Sequence, residues 1–398
     1  GLSEQGRGFR ISLYSNQPKV DQKNYGRKLD IVGGVTFRPM AKKKPAERIL
    51  SACLIWLKHI SFSFLFRVIG EAALSIFRAD NWRAYSEADI IMVGHDGAIS
   101  DLNVFFAAFV RAIKKKNTIF GGGFRKFRFR ATEILARHVL PSVDLIVVRE
   151  RHTYDYLRSI GVLSQNLLWR PDPAFLMPPA SESELGPILA LEKISDLEGP
   201  LIGMIAVMGT NYFPYFYGKA MENEERYRRH ISFFAAIAEN VMHRTGAHIV
   251  FIPHSIRKRF MNDDRIVARD IRTSMKKHAE KVILIENEYP AAVLKGLIGR
   301  LDFLISQRLH AVIGAVMVAT PFIQIAVQED KRSHDIVEHT VGRPDLVYDL
   351  NDPDIGSFSG IFEEKWFHRA EIRQFLKGRA KQIRNDCRDS FSKLVNIV

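Results

Sequence analysis

Short apolar runs, each closed by a polar or glycine-bearing turn, alternate along most of this chain with longer stretches of helical period. Residues 9–15 (FRISLYS) alternate as a half-buried strand does, and 30–35 offer a second strand. Lys42-Lys43-Lys44-Pro45 interrupts the pattern and leads into a long helix from Glu47, with a further helical piece over 71–82. Residues 88–93 (ADIIMV) predict a buried strand ending in the turn Gly94-His95-Asp96-Gly97. A helix over 103–112, a strand over 117–120 closed by Gly121-Gly122-Gly123, a strand over 143–148 and a helix ending at Gly161 complete the first half.

The same rhythm returns after residue 200. Strands are predicted over 201–207, 248–252, 282–285, 302–305 and 321–327, and helices over 228–245, 264–278, 291–298 and 311–319. Strands alternating with helices imply a parallel sheet with helices on both faces. The chain therefore reads as α/β, with two Rossmann-like domains facing a central cleft, a common place for an active site. Residues 1–178 form the N-terminal domain, 179–200 a proline-bounded linker, 201–350 the C-terminal donor-binding domain and 351–398 a helical tail. Packing of that tail back across both domains is left open.

The 398 residues are 46% hydrophobic, enough for two ordinary cores. A formal net charge of +14 favours polyanionic partners without choosing among nucleic acid, anionic lipid and phosphorylated small molecules. Two distant cysteines, Cys53 and Cys387, make no disulfide framework, so a reducing cytoplasm is expected. The N-terminal residues carry no apolar core of a signal peptide, and 49–69 are broken by Lys58, His59 and Arg67. That stretch predicts an amphipathic helix lying on the protein core or on a membrane surface.

The candidate chemistry collects at predicted strand ends, where open parallel sheets bind ligands. Ser306-Gln307-Arg308-Leu309-His310 is such a tip. A guanidinium there can fork onto a phosphate or carboxylate, and an imidazole can move a proton at neutral pH. The competing reading has Arg308 capping a neighbouring helix and His310 as a satisfied buried histidine. Gly94, Arg149, Asp172, Asn211, His254 and Lys331 stand at other predicted strand ends. The glycines at 121–123 could nest an anion or simply form a tight turn. The basic-aromatic run over 124–130 could stack bases, or begin a helix with a solvated face. Metal-binding spacings, a G-x-S-x-G elbow, a Walker sequence and nucleic-acid-binding signatures are absent, so no metal and no nucleic acid is expected.

Six segments together resemble the polysaccharide pyruvyltransferase family, across roughly residues 85–345. They are ADIIMVGHDGAISD (88–101), VDLIVVRERHTYDYLRSIGV (143–162), RPDPAFLM (170–177), VFIPHSI (250–256), NDDR (262–265) and the segment 294–331. The resemblance implies a glycosyltransferase B-like fold and transfer of a pyruvyl group from phosphoenolpyruvate to sugar hydroxyls. The product would be a pyruvate ketal on an exopolysaccharide or cell-surface glycan precursor, with release of phosphate and no cofactor. On that basis Arg308 and Lys331 would hold the donor's anionic groups and His310 would perform acid–base work. Arg149, Asp172 and His254 match motif positions with binding or structural roles. The loop 208–217, with Asn211, could present aromatic faces to the sugar or pack as an apolar loop. A lipid-linked acceptor would place the protein in the cytoplasm, peripheral to an anionic inner membrane face.

The sequence departs from the family pattern at its start, where the first strand–helix unit is expected to be missing or altered, and at the broken glycine turn 94–97. A nucleotide-sugar glycosyltransferase of the same fold ranks second, and a non-catalytic polyanion-binding protein third.

Overall fold

The computed structural model describes residues 10–15, 18–25, 29–33, 45–78, 80–94, 98–124, 126–207, 223–257, 262–351 and 353–397. The chain divides into two compact units, residues 1–172 with 388–398, and residues 173–387.

The first unit opens with strand β1 (Ser12–Ser15), helix α1 (Pro18–Tyr25) and strand β2 (Asp30–Gly33), and the two strands pair in parallel. The first strand–helix unit is therefore present, with its strands in a two-stranded sheet of their own, apart from the main sheet of the unit. Two helices follow, α2 (Pro45–Ile69) and α3 (Asp80–Glu87). The main sheet comprises β3 (Ile90–Gly94), the short β4 (Ala98–Ile99), β5 (Lys116–Phe124), β6 (Leu145–Val148) and β7 (Leu167–Trp169). Its order is β3-β5-β6-β7, with β4 beside the end of β5, and its pairs are parallel. Helices α4 (Asp101–Ala112), α5 (Arg130–Val139) and α6 (Arg151–Ser159) connect these strands. The side chains alternate as the pleat demands. Ile119, Ile146 and Val148 face the core under α4, α5 and α6, while Phe120, Leu145 and Val147 face the other way and meet Leu394.

The glycine run is neither a nest nor a turn. It lies inside β5, where the register slips between Phe120 and Gly122. Gly121 there has φ of 73°, a left-handed conformation that costs glycine little.

The second unit begins before the position expected from the sequence. Helix α7 (Glu182–Leu191) occupies the stretch assigned to a linker, opened by a Ser181–Glu184 capping box. Its Leu185 is buried against Gly296, in the same core as Phe175. Residues 179–200 are therefore part of the second unit, because apolar side chains seat them there. The elements that follow are β8 (Leu201–Ile205), α8 (Asn223–Thr245), β9 (His248–Phe251), a hairpin of β10 (Ile256–Arg257) and β11 (Asn262–Asp263), and α9 (Asp264–Ser274). Next come β12 (Val282–Leu284), α10 (Ala291–Gly299), β13 (Phe303–Ser306), α11 (Leu309–Val318), β14 (Phe322–Ala326), α12 (Lys331–Asp335) and β15 (Val347–Asp349).

The second sheet is parallel throughout, ordered β12-β9-β8-β13-β14-β15. Renumbered within the unit this is 3-2-1-4-5-6, the doubly wound dinucleotide-binding order. The strand order reverses between β8 and β13. Both faces are covered, so the strands read as unbroken apolar runs. Phe303 and Ile305 join α8, α9 and α13 (Ile355–Phe367) on one face, while Leu304 and Phe322 join α10 and α11 on the other.

The C-terminal stretch is not a separate tail. Phe358 and Phe362 of α13 and Ile372, Leu376 and Ile383 of α14 (Arg369–Val395) sit in the cores of the second unit. Residues 388–398 belong to the first.

Candidate functional site

The tip that follows β13 is held in shape by its own side chains. The Ser306 hydroxyl accepts the Arg308 backbone N–H at 2.9 Å and donates to the Arg308 carbonyl at 3.1 Å. Arg308 takes the N-cap place of α11 in an extended conformation, and its carbonyl accepts from Ala311 and Val312. His310 therefore falls in the first turn of α11, where backbone N–H groups and the helix dipole favour an anion. This turn lies on the carboxyl side of the strand-order reversal between β8 and β13. His310 is exposed, so it is not buried as the competing reading has it.

Arg308 is not an open fork. Its Nη2 donates to Asp264 Oδ1 at 2.6 Å and its Nε to Asp264 Oδ2 at 3.2 Å. Asp264, 4% exposed, opens α9 and accepts two further bonds at Oδ2, from the backbone N–H groups of His254 (3.0 Å) and Ser255 (2.9 Å). One carboxylate thus ties the turn after β9 to the tip after β13 across the intervening β8. The Arg308 side chain keeps 22% of its exposure.

His254 belongs to the same cluster. Burial pushes its pKa down to about 4, and the charges of Arg308 and His310 add to that, against the pull of the Ile252 carbonyl and Asp264. It is neutral at pH 7. Three of the residues picked from the sequence, His254, Arg308 and His310, are therefore brought together. Lys331 opens α12 at the carboxyl end of the neighbouring strand β14 and is exposed. A small recess beside Asp264 is lined by Ile205, Ala206, Ile252, Pro253 and Arg265.

Sequence reasoning gave no role to three members. Asp264 was seen only as part of the NDDR segment, and nothing local announces a partner 44 residues away. Gln307 accepts the Val207 N–H at 2.9 Å through Oε1, while its own N–H reaches the Ile205 carbonyl at 2.9 Å, which locks the end of β8 to the tip. His230, fully buried on α8, contacts the Val207 backbone and the Gln307 side chain, and burial pushes its pKa down to about 4. On a helix of ordinary period it looks like any core position.

In the first unit, Arg149 and Asp172 take the structural of the two roles left open for them. Arg149, at the end of β6, is 2% exposed and pairs with the buried Asp172 at 2.5 Å. Glu150 lies 3.6 Å from the same guanidinium and accepts from the Thr153 hydroxyl at 2.7 Å. Its carboxylate occupies the place a side chain on Gly123 would need. The buried guanidinium has its counter-charge inside the unit, which is what holds a buried ion in place. Arg149 and Asp172 are structural rather than substrate-facing. Gly94 ends β3 and is exposed, whereas His95, Asp96, Gly97 and Asn211 lie outside the described residues, as does the aromatic loop 208–217. No group of three or more His, Cys, Asp or Glu that could hold a metal ion occurs among the described residues.

The polysaccharide pyruvyl transferase family model matches residues 2–329. Among solved structures, a glycosyltransferase from Rickettsia africae ESF-5 is similar over 100% of this chain and 92% of its own, with 10% identity and a TM-score of 0.61. A UDP-GlcNAc 2-epimerase from Methanocaldococcus jannaschii is similar over 93% and 86%, with 11% identity and a TM-score of 0.51. MnaA of S. aureus, solved with UDP, is similar over 98% and 97%, with 12% identity and a TM-score of 0.52. At these identities the likeness concerns the fold, which is that of the glycosyltransferase B class, built from two Rossmann-like domains. No curated protein matches the sequence. The match over nearly the whole chain makes this protein a transferase and a member of the polysaccharide pyruvyl transferase family.

Proposed function

We propose that the chain transfers the pyruvyl group of phosphoenolpyruvate to two hydroxyls of a sugar in a cell-surface glycan precursor. The donor's C3 gains a proton, and a sugar hydroxyl attacks the electron-poor C2. The C2–O bond to phosphate then breaks, and the second hydroxyl closes the ketal. The reaction needs positive charge on a phosphate and a carboxylate, and a group that exchanges protons near neutrality.

The observation that carries this reading is the joint placement of Arg308 and His310 on a helix N-terminus beside the point where the strand order reverses. Asp264 orients the guanidinium, so that its remaining exposed edge meets an anion without reorganisation. His310 is the proton-moving group, and exposed Lys331 supplies a second cation from the next strand end. Neutral His254 adds no positive charge of its own and can serve as a hydrogen-bonding wall.

The test is phosphate release from phosphoenolpyruvate in the presence of candidate glycans. Arg308→Ala and His310→Ala are expected to lower turnover by about a hundredfold or more with folding intact. Undiminished turnover in His310→Ala would remove its role. Calorimetric binding of nucleotide-sugars and not of phosphoenolpyruvate would replace the donor and favour a glycosyltransferase.

A further inference from the structure

Helix α2 is apolar on both sides, and among the described residues only one side is covered. His59, Phe62 and Ser63 are buried, and the His59 ring lies 4.8 Å from Trp82 and 4.9 Å from Phe109. That face belongs to the cluster of Phe62, Trp82, Tyr85 and Phe109. On the opposite side Leu50, Leu54, Leu57, Ile60, Phe64 and Val68 are each more than half exposed. At about 100° per residue these six fall within an arc of about 120°, and the row runs for about 27 Å. Large exposed apolar patches mark interaction sites, whereas scattered exposed leucines do not.

The edges of the arc say what covers it. Lys58 lies just beyond one edge and Arg67 just beyond the other, and both are exposed. Arg67 also donates to the Ala112 carbonyl at 2.7 Å, which fixes its stem along the helix. In sequence, Lys42, Lys43, Lys44 and Arg48 precede this row, and from residue 42 to 69 the only acid is Glu47. Half-buried Trp56 sits at the Arg67 edge, its ring 5.4 Å from that of exposed Phe105 on α4. Apolar side chains bordered by basic groups and an edge tryptophan match the layering of an anionic lipid surface. The segment Cys53–Ser75 is long and apolar enough to cross a membrane, but one face is committed to the core of the first unit. A helix with one face so committed can lie along an interface but cannot span a bilayer.

We propose that the exposed face of α2 docks the protein on an anionic membrane surface, with the apolar row entering the acyl boundary and Lys58 and Arg67 meeting lipid phosphates. This surface does not depend on the donor chemistry, and it would bring a soluble active site to acceptors carried on a membrane. The full chain is mixed, without phosphoenolpyruvate, with vesicles of phosphatidylcholine alone or with one third phosphatidylglycerol. Co-sedimentation with the anionic vesicles only, weakening as salt rises, is expected. Leu57→Asp with Phe64→Asp is expected to reduce vesicle affinity about tenfold or more. Both sites are exposed, and an unchanged melting temperature together with unchanged phosphate release without vesicles confirms that the fold survives. Absence of vesicle binding, equal binding to neutral and anionic vesicles, or binding unaffected by the paired substitution would overturn the proposal. So would a concentration-dependent dimer in sedimentation velocity that the same substitution abolishes while vesicle binding is absent, which would assign the face to a second copy.

Discussion

Asp264 carries four hydrogen bonds on one buried carboxylate, two from Arg308 and two from the turn His254–Ser255. Arg308 can therefore act only as Asp264 lets it, and Asp264 is a positioning residue for the proposed chemistry. Asp264→Asn removes the charge but keeps one acceptor oxygen. The expected outcome is a stability loss of about 1–3 kcal/mol in denaturant unfolding, because a largely buried guanidinium loses its counter-charge. Kinetically, KM for phosphoenolpyruvate should rise more than kcat falls, and Asp264→Glu should restore part of the loss. A fall in stability with unchanged KM would reduce Asp264 to a structural cap. The neighbouring histidines give a second expectation. His230 and His254 stay neutral in the folded protein down to about pH 4, because burial penalises the cation. In the unfolded chain they take protons near pH 6.5. Between those values the unfolded state binds more protons, so stability falls as pH falls through that window and is level above it. Fully buried His230 alone should contribute on the order of 2 kcal/mol of loss between pH 7.5 and 5. Urea unfolding at both pH values checks this, and His230→Gln should lose correspondingly less. An equal loss in the variant would show that acid sensitivity arises elsewhere.

At the scale of elements, what could be read from the sequence depended on whether the information was local. The strand–tip–helix–strand from β13 to β14 was legible because buried parallel strands are short unbroken apolar runs, and a polar tip must separate them. The strand is Phe303–Ser306 where 302–305 was expected, a shift of one residue. Helix α7 escaped notice because Pro187 and a polar opening resemble a linker, yet its Ser181–Glu184 box was a readable start signal. The glycine run misled in the opposite direction. Three glycines after an apolar stretch suggest a turn, but here Gly121 absorbs a bulge and Gly123 makes room for the Glu150 carboxylate, a residue 27 positions away. The same distinction separates the positions of the candidate site from its partners. That Arg308 and His310 sit at a strand end follows from the local pattern. That Arg308 is forked by Asp264, and that Arg149 pairs with Asp172, follows from the strand order, and pairings across a sheet have no period in sequence.

For the whole molecule, the two units are unequal in what completes them. The second unit draws its two cores from residues 173–387, with helices on both faces of its sheet. The first unit takes its last pieces from the far end of the chain. Leu394 is buried on Phe120, Leu145 and Val147, the Phe391 ring lies 4.8 Å from that of Phe120, and Arg170 meets Asp389 at 3.0 Å. Lys116 reaches the Ile397 carbonyl at 2.5 Å. Among the described residues, this cover on β5 and β6 comes from a segment that is made only after the intervening residues 173–387. Removing residues 388–398 should therefore destabilise the first unit alone, by about 3–5 kcal/mol for two large apolar contacts and their cavity. Native-state hydrogen exchange is the measurement. Amides of β5 and β6 should lose protection in the shortened chain while those of β13 and β14 keep theirs. Uniform loss across both sheets would mean that the two units unfold as one. No change at β5 would mean that the C-terminal contacts contribute nothing to the sheet they cover.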